Sequence, residues 1–171
     1  YRRRIASSLD KETSIQSLTN RELIQCEPEL SKFEKAYYFP NEAQIDCQAF
    51  MPSLQHYLET AGVRCFNPIT ILSISPHRIE SENGIHDFDM VFDCRGLGAK
   101  AIFTDLRPLR GELLCLYAPD VALHRPIRLL HPRYCLYVVP RPQHIYLVGA
   151  SEMETDDKSP ISVRTSLELL T

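Results

Sequence analysis

Two segments of this 171-residue chain contain residue types from which a binding or reaction site could be built. Residues 88–99 form an apolar run that leads into the glycine-containing turn CRGLGA, and glycine lets a backbone approach a cofactor closely. An ordinary strand and turn is the alternative. Residues 131–141 are predicted to place Tyr137, Val139 and Arg141 on one face of a strand. A phenol and a guanidinium on one face could hold a carboxylate, and a solvated aromatic–cation stack fits the same pattern.

No other arrangement in the sequence predicts a reaction. The chain has neither a phosphate-binding P-loop nor a GxGxxG dinucleotide motif, and Gly96-Leu97-Gly98 is its only GxG. Its six histidines include no HExxH pair, and its six cysteines show no metal-ligand spacing. His131 and Cys135 are spaced as a base and a nucleophile could be, but that spacing is common by chance. The sequence therefore predicts no metal site and no side chain that acts as nucleophile, acid or base.

The first third of the chain is predicted to be helical. Thr19 and Glu22 have the spacing of a capping box, and the helix that they begin should end near Pro28. A second helix follows, and its start is ambiguous. Asp46 is a good cap for an early start, whereas Pro52 favours a later one.

The rest of the chain is predicted to form strands, followed by a final helix that begins between residues 159 and 162. The predicted strands are 69–74, 88–93, 111–117, 134–139 and 145–148, the last two joined as a hairpin. The fold class is therefore α+β, with a largely antiparallel or mixed sheet and flanking helices.

Composition limits the partners. The net charge of −3 disfavours nucleic acid and acidic membrane surfaces, and no apolar run reaches the roughly 20 residues of a membrane span. Residues 101–150 are nevertheless rich in arginine and precede an acidic stretch, Glu152, Glu154, Asp156 and Asp157, so either an anion-binding wall or ion pairing between the two stretches is expected. The cysteines lie in apolar segments, which predicts buried, reduced thiols and a cytoplasmic location.

A series of segments carries a further signal: FPNEAQID (39–46), DCRGLGA (93–99), RPLRGE (107–112), RPIRLLHPR (125–133), LYVVPR (136–141) and YLVGASE (146–152). In this order they resemble the glycine-oxidising branch of the D-amino-acid oxidase family of flavoproteins, which acts in thiamine biosynthesis. The resemblance covers essentially the whole chain and is densest from residue 93 to residue 170. The ordered series carries it, since no single segment is decisive.

The resemblance implies a two-lobed enzyme in which one lobe binds FAD in a Rossmann-type fold and the antiparallel sheet of the other covers the flavin. Residues 1–64 and 100–171 would form the substrate-binding domain, and residues 65–99 would be an excursion into the FAD lobe. Tyr137 would line the amino-acid pocket, with Arg133 and Arg141 as further candidates for substrate binding. The residues implied along the cofactor are Ile69, Cys94, Arg95 and Gly96.

The implied activity is oxidation of glycine or a similar small amino acid to the imine, which hydrolyses to glyoxylate and ammonia with formation of hydrogen peroxide. The family's dinucleotide fingerprint and its carboxylate-clamping arginine are not in this sequence. We therefore expect a fragment that is inactive alone and whose partners are a small amino acid and the FAD-binding lobe of the same polypeptide. Neither nucleic acid nor a membrane is expected as a partner, and self-association into a homo-oligomer is left open.

Other functions remain open at this point. Sarcosine-type oxidases and the flavin lobe of a tRNA-modifying enzyme share the fold, so the amine is not fixed. A cofactor-free binding or scaffold domain derived from the family is the main alternative. An anion- or RNA-binding module that uses the arginines of residues 107–141 is a third, and the negative net charge argues against it.

Overall fold

A computed structural model describes residues 15–130 and 135–170 of the chain. The chain divides into two units, one formed by the residues up to Gln44 together with those from Leu109 onward, and the other by Ile45–Pro108. The predicted excursion, 65–99, lies inside the second unit, and its assignment to an FAD lobe stays a prediction.

The described elements combine short helices with antiparallel sheets, which confirms the α+β class. In chain order they are β1 (Gln16–Thr19), α1 (Asn20–Cys26), β2 (Lys35–Tyr38), α2 (Cys47–Thr60), β3 (Ile71–Ser75), β4 (Arg78–Ser81), β5 (Gly84–Asp87), β6 (Leu113–Tyr117), β7 (Ile127–Leu130), β8 (Cys135–Arg141), β9 (Ile145–Gly149) and α3 (Val163–Leu170), with 3-10 turns at Pro28–Leu30 and Gly96–Ala99. Among the described residues, every helix is too short or too polar to span a bilayer.

The capping box at the start of α1 is confirmed. The Glu22 carboxylate accepts the Thr19 N–H at 2.8 Å, and the Thr19 side-chain oxygen accepts the Glu22 N–H in return. The helix ends before Pro28, as predicted. The prediction of a purely helical first third is wrong, however, because β1 and β2 flank the helix and pair antiparallel. Strands of four residues give too little alternation to be detected beside so strong a helix signal.

The first unit is built on a four-stranded antiparallel sheet with the order β6-β9-β8-β7. The β8–β9 hairpin is confirmed, and its turn contains Gln143 and His144 at φ 62° and 58°. Strand β7 was not predicted, because Arg128 interrupts its short apolar run. The three other strands lie close to their predicted positions.

Strand alternation gives this sheet two different faces. One holds Tyr146 and Val148, each 6% exposed, and the Tyr146 hydroxyl donates to the Val121 carbonyl at 2.5 Å. The other, which we call the open face, is more accessible, with Leu113 46% and Tyr117 69% exposed. The residues of the open face are Leu113, Cys115, Tyr117, Arg128, Leu130, Tyr137, Val139, Arg141, Ile145, Leu147 and Gly149.

A buried ion pair ties the chain before β6 to the chain before α3. The Arg110 guanidinium donates to the Glu112 carboxylate at 2.5 Å, and Glu112 is only 5% exposed. The same guanidinium donates to the backbone carbonyls of Asp157, Ser159 and Pro160 at 2.7, 2.6 and 2.9 Å. One arginine therefore satisfies three carbonyls of a segment that has no ladder of its own.

Glu112 completes this connection at the start of α3. Its carboxylate accepts the backbone N–H and the hydroxyl of Ser162, each at 3.2 Å, and the Ser162 hydroxyl accepts the Thr165 N–H at 3.1 Å as an N-cap does. Hydrogen bonds from Thr165 above all, and from Ser162 and Arg110, hold the pKa of Glu112 below its usual range. The charged form of Glu112 therefore stabilises the fold.

The second unit contains α2 and the meander β3-β4-β5. The Asp46 carboxylate accepts the Gln48 N–H at 3.0 Å, so α2 adopts the earlier of its two predicted starts and Pro52 lies inside it. Strands β4 and β5 were not predicted as strands. Their turn contains Asn83-Gly84, a strong hairpin signal that would have identified them.

The strand predicted over residues 88–93 is wrong, because these residues form irregular chain without a ladder partner in the described part of the molecule. The start of the segment bonds to a turn instead. The Phe88 N–H donates to the His77 carbonyl at 2.7 Å, and His77 Nδ1 lies 2.6 Å from the Asp89 carbonyl. Met90 and Phe92 are 67% and 79% exposed. An apolar run becomes a strand only where a neighbour pairs with it, and composition does not show the neighbour.

The expectation of buried thiols is wrong for Cys47, Cys65, Cys94 and Cys115, which are free and exposed. Cys115 shows the reason. Its neighbours in sequence are leucines, but alternation along β6 turns Cys115 towards the open face while those leucines point to the other.

Replacing Glu112 by glutamine tests the buried pair. A folded-state pKa below the unfolded one stabilises the fold fully above about pH 4.3, the ordinary value for glutamate, and the contribution is lost as pH falls through the lowered pKa. Glu112→Gln should therefore lower the melting temperature at pH 7, and the difference from the unsubstituted protein should shrink as the pH is lowered towards 3. Thermal melts across this pH range measure it, with Glu152→Gln, an exposed glutamate, as the control. An equal difference at every pH would contradict the assignment.

Candidate functional site

Tyr137 lies in the middle of β8, half-buried on the open face. Its partners in register are Arg128 on β7 and Gly149 on β9, and Gly149 is in turn opposite Leu113 on β6. Directly opposed residues of antiparallel strands have Cβ atoms about 5 Å apart. The sheet therefore places a phenol and a guanidinium in neighbouring positions of one row, which we call the Tyr137 row.

Of the two arginines predicted beside Tyr137, Arg141 and Arg133, the structure describes only Arg141. Arg141 shares the face of Tyr137, as predicted, but it lies four residues away, about 13 Å along the strand. Its guanidinium donates to the side-chain oxygen of Gln44. The structure therefore does not bring Arg141 to Tyr137. Arg133 lies outside the described residues.

Arg128 is the residue beside Tyr137 that sequence reasoning did not select. The sequence includes it in an arginine-rich stretch and in the segment RPIRLLHPR (125–133), but nothing placed it beside Tyr137, because β7 itself was not predicted. The pairing of Leu130 with Cys135 determines that Arg128 faces Tyr137. Predicting a hairpin with its turn at residues 131–134 would have identified β7 and placed Arg128 opposite Tyr137.

Gly149 lies on β9 in the Tyr137 row, beneath the side chain of Leu113. A Cβ added at Gly149 would overlap Leu113 Cδ2, so the leucine side chain would have to move to admit another residue there. The Leu113 side chain thus covers the glycine next to Tyr137 and makes this end of the row apolar.

The predicted cofactor turn is held by a charged pair. The Asp93 carboxylate accepts from the Arg95 side chain at 2.9 and 2.8 Å and from the Arg95 N–H at 3.1 Å. These hydrogen bonds from Arg95 hold the pKa of Asp93 below its usual range and raise the pKa of Arg95. Cys94 is exposed between them. The Arg95 guanidinium is thus engaged by its own turn, which leaves the backbone as the group open to a ligand.

Gly96 and Ile69 leave room and hydrogen-bonding groups for a cofactor. Gly96 has φ +57°, and a Cβ added there would meet no atom within 4 Å. Ile69 is half-buried just before β3, and within the described residues nothing hydrogen-bonds to its backbone N–H or C=O. An accessible glycine turn, together with backbone N–H and C=O groups that have no partner among the described residues, is suited to contact with the flat, hydrogen-bonding parts of FAD. No hydrogen bond joins Ile69 to the turn among these residues.

In the first unit, two further arginines of the 101–150 stretch, Arg110 and Arg125, form ion pairs with carboxylates of the protein. Arg110 pairs with Glu112 and, at 3.2 Å, with Asp157 of the acidic stretch. Arg125 donates to Glu27 at 2.9 Å, and this bond raises the pKa of Arg125. Glu27 is 2% exposed, so its charge requires such a partner. Ion pairing between the two stretches, one of the two expectations, is therefore observed for Arg110 with Asp157, whereas Arg125 pairs with Glu27, which lies outside both stretches.

Comparisons with known proteins agree on one family. The model of the FAD-dependent oxidoreductases matches residues 1–170. A Rhizobium etli protein, provisionally named the thiamine biosynthesis oxidoreductase ThiO, is 38% identical over 145 residues, which are 84% of this chain and 41% of that protein. The bifunctional protein ThiO/ThiG of a Nostoc species is 23% identical over 141 residues, 77% of this chain and 22% of that protein.

Solved structures support the same fold. Glycine oxidase from Bacillus cereus superposes with a TM-score of 0.79 at 16% identity, over 97% of this chain and 49% of that one. Glycine oxidase from Geobacillus kaustophilus gives 0.71 at 20% identity, over 93% and 45%. The chain therefore spans half or less of the length of each of these relatives.

Substitutions at Gly96 test the geometry of the turn. Gly96→Ala should lower the free energy of unfolding by about 1 kcal/mol, because an L-residue with a Cβ is strained at this φ. Gly96→Asn should cost less, since asparagine tolerates the left-handed region. Denaturant unfolding measures both, with Gly111→Ala as the control, where the added Cβ makes an ordinary 3.5 Å contact. Equal costs for alanine and asparagine would show that φ at Gly96 is not the cause.

Proposed function

The chain belongs to the family of FAD-dependent oxidoreductases, and we propose that it supplies the substrate-binding part of an amine oxidase that acts on glycine or a similar small amino acid. The reaction converts the amino acid to its imine, which water hydrolyses to glyoxylate and ammonia, while oxygen is reduced to hydrogen peroxide. When bound, FAD supplies the hydride acceptor. The observation that carries the proposal is the Tyr137 row, a phenol on an apolar sheet face.

The composition of the open face supports this role. Apart from its arginines and tyrosines, it is formed by aliphatic residues, glycine and one cysteine, and several of these are accessible, such as Leu113 at 46% and Leu130 at 50%. Continuous exposed apolar surface marks ligand or interaction sites. Covered by the FAD-binding part of the protein, this face would keep water from the reacting carbon.

Tyr137 binds and orients the substrate in this proposal. Its hydroxyl donates a hydrogen bond to the substrate carboxylate, which fixes the direction of the α-carbon and the amino group. Among the described residues of the open face there is no Asp, Glu, His or Lys. The protein therefore contributes position and exclusion of water at this face, rather than a proton acceptor.

The cofactor would be held partly by the second unit. We assign contact with FAD to the Gly96 turn, formed by Cys94, Arg95 and Gly96, and to the backbone of Ile69. The remaining contacts would come from the FAD-binding part of the same polypeptide. The proposal includes a place in thiamine biosynthesis, for which the Rhizobium etli relative is named, and a cytoplasmic location.

An absorption spectrum of the complete flavoenzyme tests the proposal. With oxygen removed, glycine should bleach the flavin band. A flavin band that another small amine bleaches, but glycine does not, would move the substrate while keeping the amine oxidase. A protein with no flavin band after reconstitution with FAD would contradict the proposal and favour a scaffold role.

Tyr137→Phe should lower kcat/KM for glycine about 10- to 100-fold, since a hydrogen bond to a charged group contributes about 1.5–3 kcal/mol. The melting temperature should not change, because the ring stays in place. Tyr117→Phe is the matched control, a tyrosine of the same face in the row of Arg141. Steady-state kinetics of hydrogen peroxide release measure both variants. Unchanged kinetics for Tyr137→Phe would remove this residue from the site.

A further inference from the structure

We propose that Glu27 is a positioning residue for the reaction: its buried carboxylate determines where β7 begins and thereby keeps in place the strand that lies beside Tyr137. The proposal rests on the function proposed above, because it concerns the same site. Glu27 does not belong to the open face. The described hydrogen bonds of its side chain go to His124 and Arg125, in the chain that leads into β7.

The Glu27 carboxylate holds two consecutive residues of that chain. One oxygen accepts the backbone N–H of His124 at 3.0 Å, and the other accepts the Arg125 guanidinium at 2.9 Å. The same guanidinium donates to the Cys26 carbonyl at 3.0 Å. Glu27 is 2% exposed, and hydrogen bonds to a charged group are strong where little water competes for it. The end of α1 is therefore fastened to the chain just before β7.

Two further side chains hold the same stretch, which we call the 121–125 segment. The Tyr146 hydroxyl donates to the Val121 carbonyl at 2.5 Å, and the Glu29 carboxylate accepts the Ala122 N–H at 3.3 Å. The segment belongs to no helix or strand. Side chains from α1, from the turn after it and from β9 therefore determine the path of the segment.

The connection from this segment to β7 is short and stiff. Pro126 alone separates Arg125 from Ile127, the first residue of β7. Proline fixes its own φ and restricts the residue before it to extended backbone. A chain that is held at Arg125 therefore leaves little freedom for the position of Ile127. This matters because β7 has only four residues and pairs only with β8 in the described sheet.

The position of β7 affects the surroundings of Tyr137. Directly opposed residues of the β7–β8 pair have Cβ atoms about 5 Å apart, so the side chains of β7 limit the directions that the Tyr137 ring can take. If β7 frays at its start, the Tyr137 hydroxyl loses this constraint. A substrate that the hydroxyl must orient would then bind less tightly.

A buried ion pair is suited to positioning. The cost of removing both charges from water largely offsets their attraction, so apolar replacement of such a pair often leaves stability unchanged or higher. An apolar pair does not supply the fixed directions of a guanidinium and of a carboxylate that also accepts a backbone N–H. Glu27 and Arg125 therefore contribute more to the position of β7 than to the free energy of unfolding.

Glu27→Gln in the complete flavoenzyme tests the proposal in two ways. It should raise KM for glycine about five- to tenfold and change kcat less than about twofold, because binding is impaired and the reacting groups are untouched. Hydrogen exchange followed by mass spectrometry is the second readout. Amide exchange in residues 127–130 should become about tenfold faster, whereas exchange in β9 should not change.

Replacing both partners separates position from stability. Glu27→Met combined with Arg125→Met removes both charges and keeps the side chains long, so the melting temperature should lie within about 3 °C of that of the unsubstituted protein. KM should stay raised, because a thioether is only a weak acceptor for the His124 N–H. A KM that recovers together with the melting temperature would overturn the proposal.

Glu22→Ala is the matched control, because Glu22 is a glutamate of the same helix whose carboxylate bonds at the opposite end. It should lower the melting temperature without raising KM or the exchange of β7. Glu27→Asp, which keeps the charge on a shorter side chain, should raise KM less than Glu27→Gln and carries the test if Glu27→Gln does not fold.

Unchanged KM and unchanged β7 exchange in the Glu27 variants would contradict the positioning role. If the unsubstituted protein retains flavin but glycine does not bleach it, the proposed function fails instead. The exchange of β7 then still shows whether Glu27 holds this strand.

Discussion

The hydrogen-bonded register of β7, β8 and β9 determines which side chains can reach a common ligand. Because side chains alternate along a strand, a shift of one residue in the pairing of β7 with β8 would send Arg128 to the opposite face from Tyr137. Gly149 occupies the neighbouring position on β9, where the Leu113 side chain lies in the space that a Cβ would take. The same register places Tyr146 and Val148 in the covered layer beneath. Burial on one face thus maintains the arrangement on the other.

The charges of this unit fall into two groups with different physical roles. Arg110 and Arg125 meet the carboxylates of Glu112 and Glu27, both almost fully buried, and such carboxylates need these partners. Their positions are determined by the fold, and their function is structural. Arg128 stands on an accessible face without such a partner among the described residues. Arginine content alone therefore says little about anion binding, and the location of the carboxylates decides which arginine is available.

Local signals in the sequence were sufficient for the features that depend on neighbouring residues. The capping box of Thr19 and Glu22, the cap at Asp46 and the β8–β9 hairpin all follow from short-range spacing. Two features that depend on a pairing partner were missed or wrong. Residues 88–93 have a strand-like composition but no described neighbour with which to pair, and β7 is recognisable only through its pairing with β8. Tyr137 came from a family resemblance, whereas the position of Arg128 beside it required the register of the sheet.

The order of strands in the four-stranded sheet has a consequence for how the molecule acquires its structure. The central pair, β8 and β9, is joined by a turn of three residues, whereas β6 reaches β9 only after residues 118–144 have been closed into a loop. The entropy lost on closure grows with loop length, and short-range contacts form early and rapidly. Strand β7 is also separated from β8 by a short connection, residues 131–134. Arg128, Tyr137 and Gly149 are therefore brought together by the most local contacts of the sheet, whereas the pairing of β6 with β9 closes its longest loop.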